Sequence, residues 1–195
     1  MLFYKTVPVT AEDVDRGLDA LLQQLPEWRL RYAMKYIRPV DRFLCAKSYM
    51  MLCELLSEHY GMEAQPEFSC GENGKPYIDA SPQVHFNISH CAAGIICAVG
   101  DEELGVDIEM AQFDEGLAKS VLSPDEYQDV ISAQRPDVRF AEYWTMKESL
   151  LKLYGKGLPD DMRYILSLED NVSFKLDSDE AAGVVSCIAV KGGFR

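Results

Sequence analysis

The sequence predicts an α+β protein, on three observations. Runs with the period of a strand, such as Val84-His85-Phe86-Asn87-Ile88-Ser89, occur beside stretches with helical period. Three strand-like runs follow one another between residues 84 and 109, with helical stretches before and after them. The composition, 48% hydrophobic and 26% charged over 195 residues, is that of a globular chain with a real core in one large domain or two small ones.

The first element expected is a strand over residues 3–9. It leads into Thr10-Ala11-Glu12-Asp13, an N-cap pattern that opens a helix with Val14, Leu18, Leu21, Leu22 and Leu25 at helical spacing. Pro26 stops that helix. The stretch from Trp28 to Arg38 is basic and aromatic and is assigned no element. A long helix is expected over about 41–60, with Leu44, Met51, Leu52 and Leu55 as its apolar stripe and Gly61 as its end. Residues 61–83 read as turns around Gly71, Gly74 and Pro76.

In the strand over 84–89 the polar residues His85, Asn87 and Ser89 share one face. The next strand, over 94–99, is wholly apolar, and a turn at Gly100-Asp101-Glu102-Glu103 precedes a third over 105–109. Ser123-Pro124-Asp125-Glu126 combines an N-cap serine, a proline at the first helical position and a glutamate at N3, so a helix starts there. Another helix is expected over about 136–154, and strands over 172–176 and 183–190 close the chain. The turn near 100–104 is the best boundary between two α+β halves, and no sequence repeat is evident between them.

Lys and Arg number 19 against 32 Asp and Glu, a formal charge of -13. That balance argues against a general nucleic-acid or anionic-membrane binder, so an anionic ligand requires a local cluster of cations. The longest apolar run, over 91–100, covers about half a bilayer crossing. The N-terminal residues carry no basic region followed by an apolar stretch, so the expected location is cytoplasmic. Six cysteines (Cys45, Cys53, Cys70, Cys91, Cys97 and Cys187) form no C-x-x-C pair and are expected to be reduced and buried.

Asp107 and Glu109 stand two apart in Gly105-Val106-Asp107-Ile108-Glu109 and project from one strand face. Two hard oxygen donors on a rigid face make half of a magnesium site, although a solvated strand face has the same pattern. In Trp144-Thr145-Met146-Lys147-Glu148-Ser149-Leu150-Leu151-Lys152, Glu148 and Lys152 are i,i+4 neighbours on a helix. By itself that pair reads first as a surface ion pair. Lys156, between Gly155 and Gly157, adds a cation beside exposed backbone amides, which suits a phosphate. Tyr143 and Trp144 read as core residues without chemistry.

Gly74-Lys75-Pro76, then Phe86-Asn87-Ile88-Ser89-His90, then Gly105 to Glu109, then Trp144 to Ser149 with Lys152, resemble in order and spacing the 4′-phosphopantetheinyl transferases of the longer, surfactin-synthetase-activating type. The resemblance implies two similar α/β subdomains in a pseudo-dimeric arrangement. Residues 1–103 would carry the coenzyme A phosphate contacts, and residues 104–195 the magnesium site and the catalytic helix. Asp107, Glu109 and Glu148 match the family's metal-binding acids, and Lys152 its catalytic lysine. Lys75, Ser89 and His90 match coenzyme-binding positions. Arg42, in Arg42-Phe43-Leu44-Cys45-Ala46-Lys47, matches an arginine for the 3′-phosphate, with Ala46 where glycine is usual. Arg31 stands where a basic residue is expected, and Trp28 where some members carry lysine.

The reaction implied is attack by a serine hydroxyl of an apo acyl or peptidyl carrier protein on the β-phosphate of coenzyme A, with Mg2+ and Lys152 neutralising charge and Glu148 as the candidate base. Length and family favour a monomer, with neither nucleic acid nor membrane as partner. Met34, Lys35, Tyr36, Met50 and Met51 fit either core packing or an apolar carrier contact. Two other readings stay open: a magnesium-dependent phosphohydrolase of a nucleotide or coenzyme, and a non-catalytic coenzyme A or carrier binder.

Overall fold

Each half of the chain opens with a strand, passes through helices and closes with two strands, the last of which returns beside the first. A computed structural model describes the chain apart from Ala64, Glu72, Ala80, Pro82, Leu158, Asp160, Glu169 and Arg195. The first half comprises β1 (Leu2–Pro8), α1 (Ala11–Leu22), α2 (Glu27–Ala33), α3 (Pro39–Tyr60), the short β2 (Ser69–Cys70) and β3 (Pro76–Tyr77), β4 (His85–Cys91) and β5 (Gly94–Gly100). The second comprises β6 (Leu104–Met110), α4 (Glu115–Val121), α5 (Pro124–Ser132), α6 (Pro136–Tyr154), β7 (Val172–Asp179) and β8 (Val184–Lys191). The three-stranded sheets have orders β1-β5-β4 and β6-β8-β7, all pairs antiparallel. Both therefore read first, last, penultimate.

The capping patterns form as the sequence requires. Thr10 and Asp13 exchange hydrogen bonds at the start of α1, with Thr10 N donating to Asp13 Oδ2 at 2.8 Å and Asp13 N to Thr10 Oγ1 at 3.2 Å. Ser123 and Glu126 do the same for α5. The long helices α3 and α6 both start with proline in the first turn and end at a left-handed glycine, Gly61 (φ 64) and Gly155 (φ 61).

The two sheets stack face to face between these helices. Ile95, Cys97 and Val99 of β5 face the α3 core, while Ile96 and Ala98 join Leu104, Val106, Ile108, Ile188 and Val190 in a core shared by both halves. Ala189, on the other face of β8, packs with Leu150 and Leu153 of α6. Both central strands are thus covered on both faces, which is why β5 is wholly apolar and β8 is apolar apart from Ser186 and the terminal Lys191.

Several features depart from the sequence reading: α1 ends at Leu22, short of Pro26, and β2 and β3 pair within the residues read as turns. α2 forms in the unassigned basic stretch, because Trp28, Leu30 and Ala33 pack beside Cys45, Ala46 and Tyr49 of α3. α3 begins at Pro39, earlier than about residue 41. α4, capped by Asp114 through Leu117 N at 2.7 Å, has only 7 residues, too few for a periodic signal. All six cysteines are free, but Cys70 is exposed and Cys53 and Cys91 are only partly buried. Among the described residues no helix is long and apolar enough to cross a membrane.

Candidate active site

The site begins with a missing side chain. A Cβ on Gly105 would collide with the carbonyl of Ser149 and the amide of Leu153, so only glycine lets α6 rest directly on β6. That approach brings Glu148 and Lys152, one turn apart, alongside the β6 face that carries Asp107 and Glu109.

Asp107 is 2% exposed. Its Oδ1 accepts from Lys152 Nζ at 2.5 Å and from Ser89 Oγ at 2.8 Å, and Lys152 Nζ also donates to Ser89 Oγ at 2.9 Å. Asn87 Oδ1 accepts from Val106 N at 2.9 Å. The polar face of β4 therefore looks across at β6, and the Ser89–Asp107–Lys152 knot ties the two halves together. Asp107 Oδ2, also buried, has no hydrogen-bond partner.

Glu109 is pushed up to about 6, first by burial and then by the Asp107 carboxylate, while a hydrogen bond from Trp144 acts in the opposite direction. Burial and Asp107 likewise raise the pKa of Glu148, against the Lys152 ammonium. Trp144 stands beside Glu109 in the wall of one cavity. Among the described residues no three acid, histidine or cysteine side chains form a ready metal cage. The donor set nevertheless fits a hard divalent cation. It is all carboxylate, it holds one buried oxygen without a partner, and burial, followed by the charge of Asp107, raises the pKa of both Glu109 and Glu148.

On the first-half side, a cavity of about 470 Å³ runs from Ser89 and His90 to Trp28, Arg29, Tyr36 and Phe68. The Arg29 guanidinium lies 5.0 Å from the Tyr32 ring centroid and 5.2 Å from that of Tyr49, and Nη2 donates to Cys45 O at 3.1 Å. Its Nε is buried without a partner. Arg29 is not among the residues singled out from the sequence; Arg31, which is, has a side chain that is 72% exposed and lies 3.9 Å from Glu27. The available signal was the run of aromatic residues around Arg29 at helical spacing, which makes one of two nearby arginines inward-facing. The surroundings of His90 lower its pKa, and Lys152 acts in the same direction.

The other expected cations lie apart from the acids. Arg42 Nε donates to Tyr36 O at 2.8 Å and braces the α2–α3 turn. Lys75 Nζ donates to the carbonyls of Leu104 at 3.1 Å and Leu153 at 2.8 Å. Lys156 is exposed, 5.1 Å from the Tyr154 ring centroid. Beyond Glu109, a second cavity of about 420 Å³ is lined by Met110, Leu117, Phe140 and Trp144. The acids and Lys152 thus lie between a cavity with a cation and a largely apolar groove.

Comparison with known proteins agrees with this arrangement. The profile of the 4′-phosphopantetheinyl transferase superfamily matches residues 103–185, which include β6 and α6. A 4′-phosphopantetheinyl transferase of Bacillus subtilis is 34% identical over 95% of this chain and 90% of its own length. The 4′-phosphopantetheinyl transferase psf-1 of Bacillus pumilus is 34% identical over 79% of this chain and 71% of its own. The 4′-phosphopantetheinyl transferase Sfp of Bacillus subtilis (strain 168) is 29% identical over 83% of this chain and 81% of its own. With identity at that level along nearly the whole polypeptide, the chain belongs to the 4′-phosphopantetheinyl transferase superfamily.

Proposed function

We propose that the protein transfers the 4′-phosphopantetheine moiety of coenzyme A to a serine of an apo acyl or peptidyl carrier protein and releases adenosine 3′,5′-bisphosphate. The observation that carries this reading is the buried Ser89–Asp107–Lys152 knot, with Glu109 and Glu148 beside it, between the Arg29 cavity and the apolar groove.

Arg29 and His90, in the wall of the first cavity, serve the nucleotide phosphates; the free Nε of Arg29 and its aromatic surroundings suit a planar, anionic ligand. Residues 1–103 thereby supply the phosphate side, and residues 104–195 the acids and Lys152. Asp107, Glu109 and Glu148 would hold Mg2+, which when bound supplies neutralising charge to a diphosphate. Lys152, fixed by Asp107 and Ser89, meets charge growing on the departing phosphate oxygens. Glu148, on the helix face turned to these acids, takes the proton of the attacking serine.

With the protein itself at -13, an acidic carrier is held by apolar contact. Met110, Phe113 and Leu117 are partly exposed near the groove, and Met34 is 48% exposed, whereas Met51 is 1% exposed and belongs to the core. The cleft is completed within one chain, and on this reading the enzyme acts as a monomer in the cytoplasm.

Incubation with coenzyme A, Mg2+ and a panel of apo carriers, read by mass spectrometry, tests the proposal. A phosphopantetheine mass gain on a carrier serine is the expected result. Release of phosphopantetheine without any carrier would instead favour the phosphohydrolase reading.

A further inference from the structure

Lys75 sits at the end of a tight hairpin formed by β2 and β3. Gly71 N donates to Lys75 O at 3.0 Å, Gly74 N to Gly71 O at 2.9 Å, and Gly74 has φ 82. The residues on either side of it, Gly74 and Pro76, line the first cavity, but the Lys75 side chain leaves in another direction and crosses into the second half. Its ammonium meets two backbone oxygens: that of Leu104, the first residue of β6, and that of Leu153, one position before the end of α6. The last four carbonyls of a helix lack intrahelical donors and form the negative end of its dipole, so a lysine there is a cap. The aliphatic stem runs over Gly155, where a Cβ would stand 3.4 Å from Lys75 Cδ. A side chain from the first half thus pins the last turn of α6 to the start of β6.

Leu153 directly follows Lys152, and Gly105 directly follows Leu104. The pin therefore acts at the point where helix and strand touch, one residue from the ammonium that reaches Asp107. We propose that Lys75 is a positioning residue that, by capping α6 against β6, holds Lys152 in register with Asp107 and so governs the transfer step and not the affinity for coenzyme A. This inference rests on the proposed transferase reading, and it gives Lys75 a role other than the coenzyme contact implied by the family resemblance.

The test compares Lys75→Met and Lys75→Arg in the full chain. Carrier modification yields kcat and KM, calorimetry yields the Kd of coenzyme A, and amide hydrogen exchange follows the last turn of α6 without ligands. Lys75→Met is expected to lower kcat about 10-fold or more while coenzyme Kd and KM stay within about 3-fold, with faster exchange at the helix end. Lys75→Arg is expected to restore kcat to within about 3-fold, because a cationic donor again reaches the carbonyls. Should Lys75→Met not fold, Lys75→Gln, a donor without charge, gives the same readings. A coenzyme Kd raised about 10-fold with kcat unchanged would overturn the inference in favour of a phosphate contact. Unchanged exchange at the end of α6 would also overturn it. If the wild-type protein modifies no carrier, the transferase reading fails, and hydrogen exchange still decides whether Lys75 caps α6.

Discussion

Counted from the first residue of each opening strand, Phe3 of β1 stands where Gly105 stands in β6, and Lys5 stands where Asp107 stands. Aligned on their terminal glycines, α3 offers Glu54, Glu58, Tyr60 and Gly61 where α6 offers Glu148, Lys152, Tyr154 and Gly155. The first half also joins strand to helix by an ion pair, Lys5 Nζ to Glu58 at 3.0 Å and to Glu54 at 3.4 Å, with the signs reversed. Its acids are about half exposed, at 47% and 52%, whereas the Asp107 side chain is 3% exposed. Phe3 accounts for the contrast. Its ring stacks on His59 at 3.7 Å and meets Tyr60 edge-on, filling a space that Gly105 leaves to the backbone of α6. One plan therefore yields a solvated ion pair where a ring separates strand from helix, and a buried charged centre where nothing does.

The strongest way to break this comparison is to give the second half the spacer of the first. Gly105→Phe should lower carrier modification about 1,000-fold or more by lifting α6 from β6, and hydrogen exchange along α6 should accelerate. Retention of even a tenth of the activity would contradict the account.

Next in size is the contrast between the two lysines. Lys152→Met leaves Asp107 buried without its counter-charge, so kcat should fall about 100-fold or more and denaturant unfolding should show a loss of about 3 kcal/mol. Lys5→Met, in the exposed pair, should cost less than about 1 kcal/mol and leave kcat unchanged. Similar losses for both would mean that burial does not distinguish the halves.

Phe3→Ala should destabilise the protein by about 2 kcal/mol, since the ring is only partly buried, while kcat stays at the wild-type level. A kcat change as large as that of Lys152→Met would show that the spacer also shapes the active half.

The smallest effect concerns pH. In metal-free protein Glu109 has a pKa of about 6 against an ordinary 4.5, so the folded state holds this proton more tightly than the unfolded state. Wild-type stability should fall as pH rises through this interval. Glu109→Gln should melt higher than wild type above about pH 6, and the gap should close below about pH 4.5. Thermal unfolding in chelator across pH 4 to 8 measures this, and a constant gap would rule out Glu109 as its source.

Local chemistry was legible in the sequence where it is local in space. The Ser123–Glu126 capping box, the Asp107–Glu109 face and the i,i+4 spacing of Glu148 and Lys152 each lie within one element, so their periods state their geometry. What depends on distance between elements was not legible. The need for glycine at 105 appears only when the Ser149 carbonyl is seen over it, and Lys75 is drawn to carbonyls that are remote in sequence. Arg29 and Arg31 differ in which side of a short helix packs on α3, and that helix was itself unassigned. No repeat is evident in the sequence because corresponding positions carry different chemistry, Phe3 and Lys5 against Gly105 and Asp107, and Glu58 against Lys152.

The core shared by the two sheets has a practical consequence. Ile96 and Ala98 pack against Leu104 and Ile188, so neither half has a finished surface of its own. The bend at 101–103 between them is exposed. A cut there would expose an apolar sheet face to water on each side. Ser89 lies before this bend and Asp107 and Lys152 after it, so the same burial that joins the sheets also assembles the charged centre.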